Sequence, residues 1–162
     1  MESIKTSLKN INLSVNNLEL TRNSDPFPVL PLVHTDTFFI KDHNDDDVEY
    51  TLVVIKFSDS WQIFLTYSDN VAAWLCSSAD LSHSDIYTVR VLLGDRTKEH
   101  LKMYSRNGIK ILYDCLKESN KLNKYSPTDE LILLMALDIK DDSSKTFHQI
   151  MERLKSTFKM LV

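Results

Sequence analysis

Glycine is nearly missing from this chain, with two among 162 residues. A phosphate-cradling loop needs several glycines to bring backbone amides close to its ligand, so this scarcity argues against that kind of nucleotide site. Cysteine is equally rare. Cys76 and Cys115 are too few for a disulfide framework, and each reads as a small buried hydrophobe. No apolar run reaches the ~20 residues that a membrane-spanning helix requires. Positive charge is also short: the net charge is −4, so neither nucleic acid nor an anionic membrane is an expected partner. The opening residues, MESIKTSLKN, lack the apolar stretch of a secretory leader, which sets the expectation of a cytosolic or nuclear protein.

The groups that carry chemistry are scattered. His34, His43, His83, His100 and His148 form no metal-ligand spacing, and neither cysteine has a histidine at a known family spacing. A thiol hydrolase built on Cys76 or Cys115 beside a histidine is the enzymatic reading to be set against the rest. Asp42-His43-Asn44-Asp45-Asp46-Asp47 superficially resembles a calcium loop. However, Asp47 stands where that loop needs glycine, Val53 stands where it needs glutamate, and both flanks read as strands. The run is expected to be a solvated acidic turn that discourages edge pairing. Asp45, Asp46 and Asp47 are then the candidate partner-contacting residues, as charges that steer a basic surface. No catalytic residue, metal or cofactor is predicted. Asn12-Leu13-Ser14 matches a glycosylation sequon, expected to be unused in such a compartment. Trp61, Phe64, Tyr67 and Trp74 read as core or interaction surface, since no interleaved cations suit them to a nucleic-acid backbone.

The apolar period assigns the elements. Ile11, Leu13, Val15, Leu18 and Leu20 alternate and predict one or two short strands, which Asp25-Pro26-Phe27-Pro28 and Pro31 interrupt. Strands follow over Thr35–Ile40, Val48–Phe57, Trp61–Tyr67 and Val71–Cys76, the last three joined by Ser/Asp/Asn turns and expected to run antiparallel. After a serine-rich loop, Ser77–Ser84, the stretch IYTVRVLLGD (Ile86–Asp95) predicts a buried strand ending at a Gly94 turn, with Asp95 capping the next helix. Leu101, Tyr104, Gly108, Leu112 and Cys115 form one helical stripe, and Gly108 on it predicts close packing against a neighbour. Asn120–Thr128 reads as a loop. Leu131–Ile139 reads as a central strand, and a Ser143 or Ser144 cap starts a last helix carrying Phe147, Ile150, Met151, Leu154 and Phe158. This order predicts one α+β domain over residues 1–162, irregular across 1–31, with an antiparallel sheet.

Three blocks carry a family resemblance. LVVIKFSDSWQIFLTYSDNVAAWLC (Leu52–Cys76), VRVLLGD (Val89–Asp95) and LLMALDIKDDSSKTFHQIMERL (Leu133–Leu154) resemble, in order and spacing, the proteasome assembly chaperone 3/4 family, and most nearly its member 3 in a fungal-type version. The resemblance implies an antiparallel β-sandwich of about six strands flanked by two main helices, using no nucleotide and catalysing no reaction. It also implies a heterodimer with a sister chaperone. That pair would bind proteasome α-ring intermediates near the α5 subunit and leave as β subunits join. The element order alone also allows a longin- or roadblock-like trafficking scaffold, which would place its helices around a five-stranded sheet.

Overall fold

The structure, a computed structural model, describes residues 30–42, 44–68, 70–83, 86–125 and 130–162. The alternation at Ile11–Leu20, the sequon at Asn12, the Pro26–Pro28 segment, His43 and Pro127 lie outside the described residues.

Six strands form: β1 (Leu32–Lys41), β2 (Asp47–Lys56), β3 (Ser60–Thr66), β4 (Ala73–Asp80), β5 (Tyr87–Gly94) and β6 (Glu130–Asp138). Two long helices complete the described part, α1 (Glu99–Glu118) and α2 (Ser144–Leu161), with a short 3-10 turn at Leu122–Lys124. Each strand grows from the alternation expected of it. In β2, Val48, Tyr50, Leu52 and Val54 are buried while Asp47, Glu49 and Thr51 stay exposed.

The strands lie side by side in the order β1-β2-β3-β6-β4-β5. β6 runs parallel to β3 and antiparallel to β4, so the sheet is mixed, though mostly antiparallel. The α+β class, the six strands and the two main helices are as expected, but the layering differs. All six strands share one open sheet, and no second sheet faces it among the described residues. The expected β3–β4 hairpin fails for the same reason: β6 occupies the place between them. A parallel pairing needs a long crossover, and β4, β5 and α1 together supply it between β3 and β6.

Both helices lie on one face. Trp61 of β3, fully buried, meets Phe158 of α2 edge-on at 5.7 Å, and Tyr87 of β5 meets Tyr113 of α1 at 6.3 Å. Gly108 sits directly over β6, where a Cβ would stand 3.0 Å from Met135 Sδ and 3.3 Å from Leu133 Cδ2. The close packing expected of Gly108 is therefore present.

Two local readings change. β5 is an edge strand with Leu92 and Leu93 exposed, not a buried one. Its residues alternate because one face meets α1; the β-branched run carried no information about the open flank. Asp95 does not cap α1 either. The helix begins after Lys98, and the Asp95 carboxylate instead closes the preceding turn, accepting from Thr97 N at 2.9 Å and Thr97 Oγ1 at 2.6 Å. At α2 the expectation holds: Ser143 Oγ accepts from Thr146 N at 3.2 Å, and buried Asp141 accepts from Ser143 N, Ser143 Oγ and Thr146 Oγ1.

The two glycines are required for different reasons. Gly94 has φ +104°, and a Cβ there would meet the Ala72 carbonyl oxygen at 2.5 Å. Both strain and a backbone clash oppose any side chain, so Gly94→Ala is expected to cost about 2 kcal/mol or more. At Gly108 the helix-propensity gain of about 1 kcal/mol opposes an overpacking cost of about 1–3 kcal/mol, so Gly108→Ala should range from neutral to about 2 kcal/mol less stable, and should stay at the low end if the flexible Met135 side chain gives way. Gly108→Val should lose about 2 kcal/mol, since it adds bulk and a poorer helix former. Denaturant unfolding of the three variants checks the order; a stable Gly94→Ala would contradict it.

Candidate functional site: the helix-free face of the sheet

Side chains pointing away from the helices form a second, uncovered surface. The strand registers bring Val53, Phe64, Ala136, Trp74 and Leu93 into one transverse row across β2, β3, β6, β4 and β5. Ala136 is small, and the rings of Phe64 and Trp74 meet edge-on above it at 5.4 Å, leaving Ala136 with no exposed surface. Leu93 at the end of the row is 68% exposed. A parallel row adds Val33, Ile55, Leu134 and Cys76, with Gln62 and Arg90 among them.

Polar side chains border this strip. Thr37, Thr51 and Thr66 align on one side, and Ser60, Ser78 and Thr88 on the other. An apolar centre with a polar rim is the anatomy of a protein–protein interface. An apolar sheet face left in water without a partner is uncommon for a chain acting alone. A depression of about 490 Å³ opens beside the row, lined in part by Val53, Phe64, Tyr67 and Val71.

The aromatics singled out from sequence divide between the two faces. Trp61 is core, Phe64 and Trp74 are half-buried on the helix-free face, and Tyr67 is exposed just past β3. Sequence reasoning did not separate Phe64 from Trp61 by role. The alternation did place them on opposite faces, but only the registers show that Phe64 and Trp74 meet.

The acidic turn has a different character from the one expected. Asp42, expected as one more solvated carboxylate, is buried, and its Oδ1 accepts from Asn44 N at 2.8 Å and Asp46 N at 3.1 Å. Lys140 Nζ stands 3.4 Å from its Oδ2. Burial alone would raise the Asp42 carboxyl, but those two amides and the Lys140 ammonium hold it below its ordinary value. Asp45 adopts a left-handed φ of 65° and pairs with Lys41 at 3.4 Å and Lys145 at 3.9 Å. Asp46 and Asp47 are exposed at the tip between β1 and β2. The three candidate residues are thus adjacent to one another but away from the apolar row, and part of their charge is balanced locally.

One cluster superficially resembles hydrolase chemistry. Ser82, His83 and Asp80 touch in the turn after β4: Ser82 Oγ lies 2.8 Å from His83 Nδ1, and Asp80 Oδ2 lies 3.3 Å from that same nitrogen. A serine–histidine–aspartate relay needs the two partners on opposite ring nitrogens. Here Asp80 Oδ1 also accepts from Ser82 N and Oγ, so the group ties the turn together. Cys115 is on the buried face of α1, and burial pushes its thiol upward, away from the reactive thiolate. Cys76 is half-buried on the open face. No metal-ligating group of three or more His, Cys, Asp or Glu occurs among the described residues.

The features that stand out among the described residues are an apolar, polar-rimmed sheet face and a locally paired acidic turn. The sequence profile of the family described as proteasome assembly chaperone 3 matches residues 69–157, more than half of the chain. The chain belongs to that family, and its role is that of a proteasome assembly chaperone. No curated protein matches it. Among solved structures, a chain from the crystal structure of a novel chaperone complex for yeast 20S proteasome assembly is similar at 10% identity. That similarity covers 78% of this chain and 98% of the other, with a TM-score of 0.48. A likeness of that degree decides nothing about partners.

The acidic turn yields a test. Because the folded-state Asp42 carboxyl lies below its unfolded value, its stabilisation is present at neutral pH and is lost as pH falls through the carboxylate range. Asp42→Asn keeps an acceptor for Asn44 N and Asp46 N but removes the charge. It should unfold at a lower temperature than the parent at pH 7, and the gap should begin to narrow as pH falls below about 4. A gap as wide at pH 3 as at pH 7 would contradict the charge-based account.

Proposed function

We propose that this chain pairs with a sister chaperone through its helix-free sheet face. The pair then binds a proteasome α-ring intermediate near the α5 subunit, in the cytosol or nucleus, until β subunits join. Membership in the family supports the setting. The observation that carries the pairing is the uncovered row Val53–Phe64–Ala136–Trp74–Leu93.

Two sheets pack about 10 Å apart when their inner faces interdigitate. A partner sheet laid on this row would complete the sandwich that the chain alone lacks. Such contacts typically bury about 1,200–2,000 Å² in total, with a few aromatic anchors dominating, and Phe64 and Trp74 suit that role. The action then requires only binding free energy. The pair holds one arrangement of α subunits and leaves when a later subunit competes for the same surface, with no covalent step, cofactor, nucleic acid or membrane.

Affinity purification of the tagged chain from its native cell tests this reading. It should recover a second small chaperone together with free α-ring intermediates. Trp74→Asp should reduce recovery of the chaperone by about tenfold or more, because a charge would be buried without a partner. Leu93→Asp, at a mostly exposed position that the fold tolerates, should reduce it in the same direction. Vesicle-tethering proteins in place of proteasome subunits would favour a trafficking scaffold. Full chaperone recovery with a folded Leu93→Asp would reject the sheet-face pairing.

A further inference from the structure

The chain is net negative, yet positive charge collects along one flank. From Arg90 to Lys110 there are six basic side chains and two acidic ones. The two acids are engaged locally: Glu99 pairs with Lys102 at 2.6 Å, and Asp95 closes its own turn. Lys102, Arg106 and Lys110 recur every four residues and so form one stripe along α1. No ion pair joins Arg106 or Lys110 to an acidic side chain among the described residues. Arg106, Asn107 and Lys110 line a notch of about 320 Å³ together with Tyr87, the first residue of β5.

β5 itself is open. It pairs with β4 alone, so the outer side of its Thr88–Gly94 stretch keeps backbone donors and acceptors free of sheet partners among the described residues. The register slips at Trp74/Leu75, leaving Leu92 opposite no residue of β4, and Leu92 and Leu93 are both exposed. The opposite edge, β1, holds no such unpaired lysine or arginine: Lys41 pairs with Asp45 at 3.4 Å, and Asp36 is itself paired with Arg153 at 2.6 Å. Asp36 lies in it, and Asp45, Asp46 and Asp47 follow at the tip between β1 and β2.

We propose that the β5 edge and the basic stripe of α1 form one docking lane for an acidic, extended segment of a partner protein. The segment adds to β5 as a further strand, and its carboxylates meet Arg106 and Lys110 at the notch. Backbone pairing supplies affinity, and the paired charges choose this edge over β1. A free strand edge beside the cations selects a peptide over a nucleic acid or membrane, neither of which offers backbone amides. The lane lies at the flank of the sheet, so it goes beyond the pairing described above and does not depend on it.

The test uses the full isotope-labelled chain and a blocked octapeptide alternating glutamate and valine. Amide resonances of Tyr87–Gly94 and of α1 around Arg106–Lys110 should shift, while those of β1 stay in place. Affinity should fall about tenfold in R106E/K110E, whose altered positions are exposed on α1, and should weaken with added salt. A lysine–valine peptide should leave β5 unshifted. Three results would overturn the proposal: equal shifts at both edges, unchanged affinity in a folded R106E/K110E, or tighter binding of an oligouridylate strand or anionic phospholipid vesicles at the same residues.

Discussion

The whole architecture depends on where β6 goes. Without it the earlier strands would be two separate pieces, a β1–β2–β3 meander and a β4–β5 hairpin. Glu130–Asp138 slides between β3 and β4 and hydrogen-bonds to both, making one six-stranded sheet. Its helix-side residues Leu131, Leu133, Met135 and Leu137 are fully buried. At roughly 1.5–3 kcal/mol for burying each large apolar side chain, this one strand supplies a stabilisation comparable to the net stability of a small domain. Gly108 of α1 is the complementary feature, since its missing Cβ lets the helix backbone settle onto Met135 and Leu133.

The same insertion creates the surface proposed for pairing. Ala136 sits between Phe64 and Trp74 because β6 separates β3 from β4, and its small side chain allows the two rings to meet above it. With both helices on the other face, nothing among the described residues covers that row. Stability and the proposed pairing therefore fall on opposite sides of one strand. Met135 and Leu137 anchor the helices, while Leu134 and Ala136 floor the uncovered face.

Much of this was legible in the sequence. Alternation in Val48–Val54 gave a strand and its buried face, the stripe from Leu101 to Cys115 gave α1, and Ser143 announced α2. The nearly continuous apolar run of Leu131–Ile139 correctly implied a central strand. What stayed hidden was pairing, because a period tells which way a side chain points and not which strand lies beside it. So the expected sandwich became one open sheet, and β5 became an edge instead of a core strand. Ser77 and Ser78 read as loop because their hydroxyls are polar. In β4 they are buried, with Ser77 Oγ donating to the Leu133 carbonyl and Ser78 Oγ bonded to Thr88 Oγ1. The charges of Asp45–Asp47 were visible, but the lysines that offset them lie across a strand and a helix start.

The chain carries its own probe of the central claim. Cys76 lies in the row beside Trp74 on the open face, and Cys115 lies on the buried face of α1. Alkylation by a small maleimide, followed by intact mass, should modify Cys76 in the isolated chain and spare Cys115. Once the sister chaperone is bound, Cys76 should be protected as well. Equal modification of Cys76 in the free and paired chain would mean that the partner sits elsewhere, and the sheet face would lose its assigned role.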